Sequence, residues 1–179
     1  MKEVEICIRQ AQASDAEEIL NFSKRVGSQT EHLTYGPEGI PYASTYLAAN
    51  LEALRESSCQ FWLVAVEDSP EGRVIGQVTV GSVLERHIEH IGEIGVVVDQ
   101  DYWGQGLGRL LMEEALTWFH EFSPLYRLEL RVLSSNRPAI SLYQSLGFQI
   151  EGKAKAVSRK LSGEYVDGYY MAYVKGQEK

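Results

Sequence analysis

The sequence predicts an α/β (α+β) fold built on a central sheet of mixed, mostly antiparallel direction. Apolar runs of strand length, Phe61–Val66, Val74–Val83 and His90–Val98, follow one another across short polar turns, as antiparallel neighbours do. One strand–glycine turn–helix–strand passage, from His90 to Leu133, supplies a single crossover in mid-chain. The whole order reads β, α, α, β, β, β, α, β, α, β, β, which departs from the strict alternation of a doubly wound parallel sheet. With 179 residues, 44% hydrophobic and 23% charged, the chain has the size and composition of one soluble domain over residues 1–179.

The elements follow from local chemistry. Ser14-Asp15-Ala16-Glu17 fits an S-x-x-E capping box, and Ile19, Leu20, Phe22 and Val26 supply the apolar face of a helix with Gly27 as its stop. Residues 28–40 are polar and punctuated by Gly36-Pro37 and Gly39, a loop of the kind that lines binding sites. A second helix runs from near Tyr42 to Glu56 on Tyr46, Leu47, Leu51 and Leu54. Asp68–Gly72 reads as the turn between the first two strands of the central run. Arg109–Phe122 is helical by the spacing of Leu110, Leu111, Ala115, Leu116, Trp118 and Phe119. Tyr126–Leu133 alternates as a strand, Pro138–Leu146 is a short helix closed by Gly147, and Phe148–Glu151 and Tyr165–Val174 are strands with a turn at Ser162-Gly163.

Charge and composition narrow the function classes. Seventeen basic against 25 acidic side chains leave a net charge of −8, a poor basis for nucleic-acid binding. Cys7 and Cys59 form no CxxC pair, and no Cys/His group has zinc-ligand spacing, so no metal is expected and both cysteines read as reduced thiols. The first residues carry acids where a signal peptide carries bases. No apolar run nears the ~20 residues that span a bilayer. A cytoplasmic protein without membrane attachment is expected.

The most informative stretch is Ile94-Gly95-Val96-Val97-Val98-Asp99-Gln100-Asp101-Tyr102-Trp103-Gly104-Gln105-Gly106-Leu107-Gly108-Arg109. Three glycines at alternate positions join a strand to a helix whose first turn offers free N–H groups and the positive end of its dipole. Such a turn cradles a phosphate or diphosphate; a plain tight turn is the alternative. The P-loop spacing is missing, since no Gly-Lys-Ser/Thr exists. The Rossmann spacing fails too, because its sixth position falls on Arg109 or Leu111.

Trp103-Gly104-Gln105-Gly106-Leu107-Gly108 resembles motif A of the GNAT acetyltransferase superfamily, Q/R-x-x-G-x-G/A, with Trp103 in place of Gln or Arg. Asn136-Arg137-Pro138-Ala139-Ile140-Ser141-Leu142-Tyr143-Gln144-Ser145-Leu146-Gly147-Phe148, 28 residues beyond Gly108, resembles motif B, N-x-x-A-x-x-L-Y-x-x-x-G-F. The resemblance covers residues 60–174 well and the first 59 weakly. It implies six to seven strands flanked by about four helices, with acetyl-CoA at a splayed strand pair. It further implies that the backbone of Gly104, Gln105, Gly106, Leu107, Gly108 and Arg109 holds the pyrophosphate. The pantetheine arm then runs as a pseudo-strand along Val96, Val97 and Val98. Gly95 and Asp99–Asp101 are placed to ease the distortion that such an opening requires.

Acetyl transfer to an amine needs a neutral amine, a donor for the developing oxyanion and a proton for the leaving thiolate. By the resemblance Tyr143 is the acid, or else a helix residue packed on the sheet; Asn136 caps its helix and contacts the cofactor arm, or only caps. Glu93 is the base, desolvated by Ile94 and Val96, or else a surface acid of its strand. His87 and His90 are further bases by chemistry alone. Glu31, Tyr35, Glu38 and Tyr42 are candidates to meet the acceptor.

The C-terminal segment and Tyr102-Trp103-Gly104-Gln105-Gly106 resemble the branch that holds ribosomal-protein and spermidine N-acetyltransferases. The implied acceptor is a primary amine on a small molecule, a polyamine or a protein N-terminus, and relatives are often homodimers. No cysteine sits in either motif, so direct transfer in a ternary complex is expected. A non-catalytic acyl-CoA sensor or interaction module on the same fold is the alternative from another class. A nucleotide-binding regulator is disfavoured by the failed spacings.

Overall fold

The computed structural model describes residues 5–68, 72–83 and 85–176. The strands are β1 (Ile6–Gln10), β2 (Phe61–Glu67), β3 (Val74–Ser82), β4 (Ile91–Val98), β5 (Arg127–Leu133), β6 (Gln149–Arg159) and β7 (Tyr165–Val174). The helices are α1 (Ala16–Gln29), α2 (Ser44–Leu54), α3 (Leu107–Glu121) and α4 (Arg137–Ser145). Their order matches the expectation. The expected turn at Asp68–Gly72 lies partly outside the described residues. No helix of the described residues is long and apolar enough to cross a membrane.

The strands form one seven-stranded sheet in the order β1-β2-β3-β4-β5-β7-β6, antiparallel everywhere except β4–β5. Alternation along the strands sorts side chains to two faces. One face carries Leu63, Ala65, Val78, Val80, Ile94, Leu128, Leu130 and Val132 against α3 and α4. The other carries Val64, Val66 and Val74 against α1 and α2. The fully buried Phe22, Ile19, Leu47 and Leu51 on one side, and Phe119, Leu111 and Met112 on the other, sandwich the sheet.

Three local expectations are corrected. Ser14 does not cap α1. It sits within a 3-10 turn, Ala13–Asp15, and the Asp15 carboxylate accepts the Gln12 N–H at 2.7 Å. Arg9 of β1 grips the same carboxylate at 2.6 and 2.8 Å, and a charge-assisted pair outcompetes a hydroxyl. Gly27 does not stop the helix. The chain returns over it so closely that a Cβ there would lie 1.9 Å from the Gly36 carbonyl oxygen. Finally, β6 extends far past Glu151. Register shifts at Ile150/Gly152 and Ala154/Ser158, with Ala156 at φ 53°, break the alternation that marks a strand in sequence.

Candidate active site

The parallel pair β4–β5 is joined only at Ile91↔Arg127, Gly92↔Leu128 and Glu93↔Glu129. Beyond Glu93 the two strands part, while β4 stays paired to β3 as far as Gly76↔Val98. Asp99 N–H donates to the Ile75 carbonyl at 2.9 Å, which sets the phase of that ladder. Bonded positions alternate in an antiparallel pair, so Val97 turns its backbone groups to β3 while Val96 and Val98 turn theirs into the opening. Val97, expected alongside the other two, is thereby removed from the open edge, and its side chain packs toward α1 and α2. The Val98 carbonyl is taken by the Trp103 indole N–H at 2.8 Å. Val96 N–H, Val96 C=O and Val98 N–H then face the gap with no ladder partner on β5. Backbone groups without a ladder partner are satisfied by water or by another molecule's polar groups, so this edge is open to the amides of a ligand.

At the end of β4 a 3-10 turn, Gln100–Tyr102, leads into the glycine turn and α3. Gly104 and Gly106 have φ of 72° and 87°, a region that costs an L-residue about 1–2 kcal/mol. A Cβ at either would meet nothing within 4 Å, so the outer surface of the turn is bare backbone. Gly106 caps α3, and the first bond into the helix is Leu110 N–H to its carbonyl, 3.1 Å. The N–H groups of Leu107, Gly108 and Arg109 precede that bond and stay available at the positive end of the dipole. Leu107 is buried in the core, the Gln105 side chain folds back onto the Asp101 carbonyl at 2.8 Å, and Arg109 reaches Ser145 of α4 at 2.7 Å. This cradle suits a diphosphate: fixed donors, no side chain in the way, and a cation beside it.

Asn136 is the N-cap of α4; its side-chain oxygen accepts the Ala139 N–H at 3.3 Å. Tyr143 on the same helix is 8% exposed and belongs to the apolar cluster that includes Ile94 of β4 and Leu130 and Val132 of β5, one group from each side of the gap. Burial pushes its phenol up to about 12. Glu93 points to the opposite face. Its expected desolvation by Ile94 and Val96 is not realised, because alternation turns those side chains toward α3 and α4 and leaves Glu93 exposed. It stands in register with Gly81 on one side and Glu129 on the other.

The mouth of the gap is crossed by a loop. Residues 30–43 leave α1 at Gln29, which bonds Asp99 and Gln100 just past the end of β4, and Glu31 accepts the Leu161 N–H of the β6–β7 turn at 2.9 Å. Of the other loop residues, Glu38 is spent on the Gly36 N–H at 2.7 Å. The Tyr35 hydroxyl is buried without a hydrogen-bond partner among the described residues and is pushed up to about 12 by burial. Tyr42 and Tyr46 form an exposed ring pair 5.5 Å apart. On the β5 side of the mouth lies an open recess of about 360 Å³, bordered by Ser134, Ser135, Arg137, Lys160 and Tyr165. His87 and His90 lie in an exposed turn rather than on a strand, away from the opening, and no group of three metal-ligating side chains occurs among the described residues.

Sequence reading places Asp99 only in the segment that eases the strand's distortion and misses its role as a hub. It is fully buried and accepts hydrogen bonds from Arg25 (2.9 Å), Gln29 (3.0 Å), Arg73 (2.7 Å) and the Asp101 N–H (3.2 Å). Burial raises its carboxyl, but the bonds from Gln29 and Arg25 outweigh burial and hold it below the usual range. In sequence it is one polar residue opening a turn, and nothing local marks it as a hub.

Comparison with known proteins gives one consistent answer. The model of the acetyltransferase (GNAT) family matches residues 26–148. The L-amino acid N-acetyltransferase AaaT of Escherichia coli K12 is 33% identical over 171 residues, 96% of this chain and 99% of that protein. A GNAT-family acetyltransferase structure from Streptococcus pneumoniae superposes with a TM-score of 0.89 at 33% identity, covering 95% of this chain and 99% of the other. The yncA structure from Salmonella typhimurium, solved with its cofactor acetyl-CoA, has the same fold at a TM-score of 0.80 and 22% identity, covering 96% and 95%.

Proposed function

From its membership of the acetyltransferase (GNAT) family, to which this chain belongs, we propose that it transfers an acetyl group from acetyl-CoA to a primary amine directly, within a ternary complex. Residues 1–179 act as one domain in this reading, in the cytoplasm and without a metal. The observation that carries it is the pairing of a bare glycine turn with an open strand edge that ends where β4 and β5 part. When bound, acetyl-CoA supplies a thioester whose acyl carbon accepts the amine.

The chain's own groups divide the work. The backbone N–H groups of Leu107, Gly108 and Arg109, with Gly104 to Gly106 giving access, hold the diphosphate. Val96 and Val98 offer two N–H donors and one carbonyl to the amides of the arm, as strand addition requires. Tyr143 keeps its proton at neutral pH and donates it to the departing sulfur from the α3/α4 face. Glu93 receives the amine's proton on the opposite face, through water because it is exposed. The two groups thus lie on opposite faces; Glu93 passes the amine's proton on to solvent, and the Tyr143 phenolate takes a proton back from water once CoA departs, so both groups end as they began.

The acceptor enters by the mouth between the 30–43 loop and the β6–β7 turn. A small amino acid or polyamine, or an exposed protein N-terminus, fits an open recess of this size. The full-length likeness to an L-amino acid N-acetyltransferase favours the first of these. The test is CoA release with a panel of amines, beside calorimetry with CoA. Binding of CoA with turnover of at least one amine supports the reading. Tight binding with no turnover on any amine would move the protein to the acyl-CoA sensor class, and no binding sinks both.

A further inference from the structure

We propose that Asp99, with Gln29, is a positioning device that gives the glycine turn its shape and thereby sets affinity for the diphosphate of the acyl donor. The inference rests on the function proposed above. Gly104 and Gly106 carry nothing on their outer side, so the turn receives its shape from the segment that leads into it. That lead-in, residues 99–102, is anchored residue by residue. Asp99 takes the Asp101 N–H of the 3-10 turn, two arginines from separate elements (Arg25 of α1 and Arg73 just before β3) and the Gln29 amide N–H. The same Gln29 amide accepts the Gln100 N–H at 3.0 Å through its oxygen, so one side chain grips two consecutive residues, Asp99 and Gln100, of the segment that leads into the glycine turn. Tyr102 donates to Glu67 of β2, and Gln105 reaches back to the Asp101 carbonyl.

A carboxylate with no solvent exposure and four donors is ordered by its partners rather than by water. The arginines neutralise it only while it is ionised, so its charge is part of the geometry. Cradling a phosphate depends on N–H vectors fixed in advance, and loss of the anchor lets them scatter. Gln29 is also the last residue of α1, directly before the loop that crosses the mouth. The anchor of the phosphate turn and the root of the acceptor loop are one residue.

The test separates this role from a general loss of structure. S-acetylpantetheine carries the thioester and the amide arm but no diphosphate. The dissociation constant for CoA by calorimetry, and kcat and KM for acetyl-CoA and for S-acetylpantetheine, are compared in wild type, Asp99→Asn and Gln29→Ala. The expected result is a rise of about tenfold or more in the CoA dissociation constant and in KM for acetyl-CoA. Turnover of S-acetylpantetheine should stay near the wild-type value. Gln29→Ala, which leaves the ion cluster in place, shows the same selective loss to a smaller degree and serves if Asp99→Asn does not fold. Equal losses for both donors, or unchanged CoA binding in the variant that folds, overturn the proposal. Failure of the wild type to bind CoA overturns the function itself, so the two failures are told apart.

Discussion

Tyr143 and Glu93 lie on opposite faces of one sheet, and their environments differ as their proposed tasks do. The phenol is buried and held protonated up to about pH 12; the carboxylate is exposed. Tyr143→Phe is therefore expected to lower kcat by about 10²-fold while leaving the dissociation constant for CoA unchanged, since a proton donor acts only as the thiolate leaves. An unchanged kcat would remove Tyr143 from the chemistry. Glu93→Gln should lower kcat/KM at neutral pH and recover as pH approaches the amine's own pKa near 10, where the acceptor loses its proton unaided. A constant deficit at every pH would mean that Glu93 binds the amine rather than deprotonating it. With Tyr143 protonated to about 12, the wild-type profile should stay level on its alkaline side up to pH 10. The motif was enough to nominate Tyr143. The setting of Glu93 is not legible in sequence, because neighbours in sequence are not neighbours in space on a strand: Ile94 and Val96 lie across the sheet from it.

Among the elements, α4 links stability to the site, because the helix that Asn136 caps is the helix that carries Tyr143. Asn136→Ala removes the acceptor for the Ala139 N–H and should lower unfolding free energy by about 1 kcal/mol in urea titration. Asn136→Asp keeps an acceptor at that point and should retain most of it. Equal losses in the two variants would show that capping is not the role. The order and type of the elements were legible, though β1 had a place in that order without residues of its own, and the bounds of β7 agree to the residue. What escaped was the geometry between elements. Gly27 reads as a helix stop until the 30–43 loop is seen to lie against it. The three valines of β4 read as equivalent until the ladder to β3 assigns alternate ones to the gap.

Over the whole molecule, the shifted groups bracket a plateau of stability. Tyr35 and Tyr143 are pushed up to about 12 by burial, and Tyr102 to about 12 by burial with Glu67 beside it. A raised folded-state pKa contributes stability that is complete below the unfolded value near 10 and is lost as pH climbs toward 12. Asp15, Asp99 and Glu151 are shifted the other way. Burial opposes the first two but bonds from Arg9, and from Gln29 and Arg25, prevail, while Arg127 lowers Glu151 directly. Their contribution is complete above the ordinary carboxylate range near 4 and is lost as pH falls below it. Thermal melts followed by circular dichroism at fixed ionic strength should give a Tm that is level from about pH 5 to 9.5 and falls on both sides. A Tm that rises between pH 10 and 12 would contradict the buried setting of these phenols.

The amino-acid sequence by itself determined which segments become strands and helices, their order, the glycine turn ahead of α3 and the helix that bears Tyr143. These depend on the period of apolar residues, on caps and on turn chemistry, all of which act over a few neighbouring residues. Only the tertiary structure decided where β4 and β5 part, which valines line the opening, that Glu93 stays in solvent and that Asp99 lies at the centre of four donors. Those outcomes depend on contacts between residues as far apart as Gln29 and Asp99. Such contacts leave no periodic trace, because the energy that fixes them exists only once the chain has brought its distant parts together.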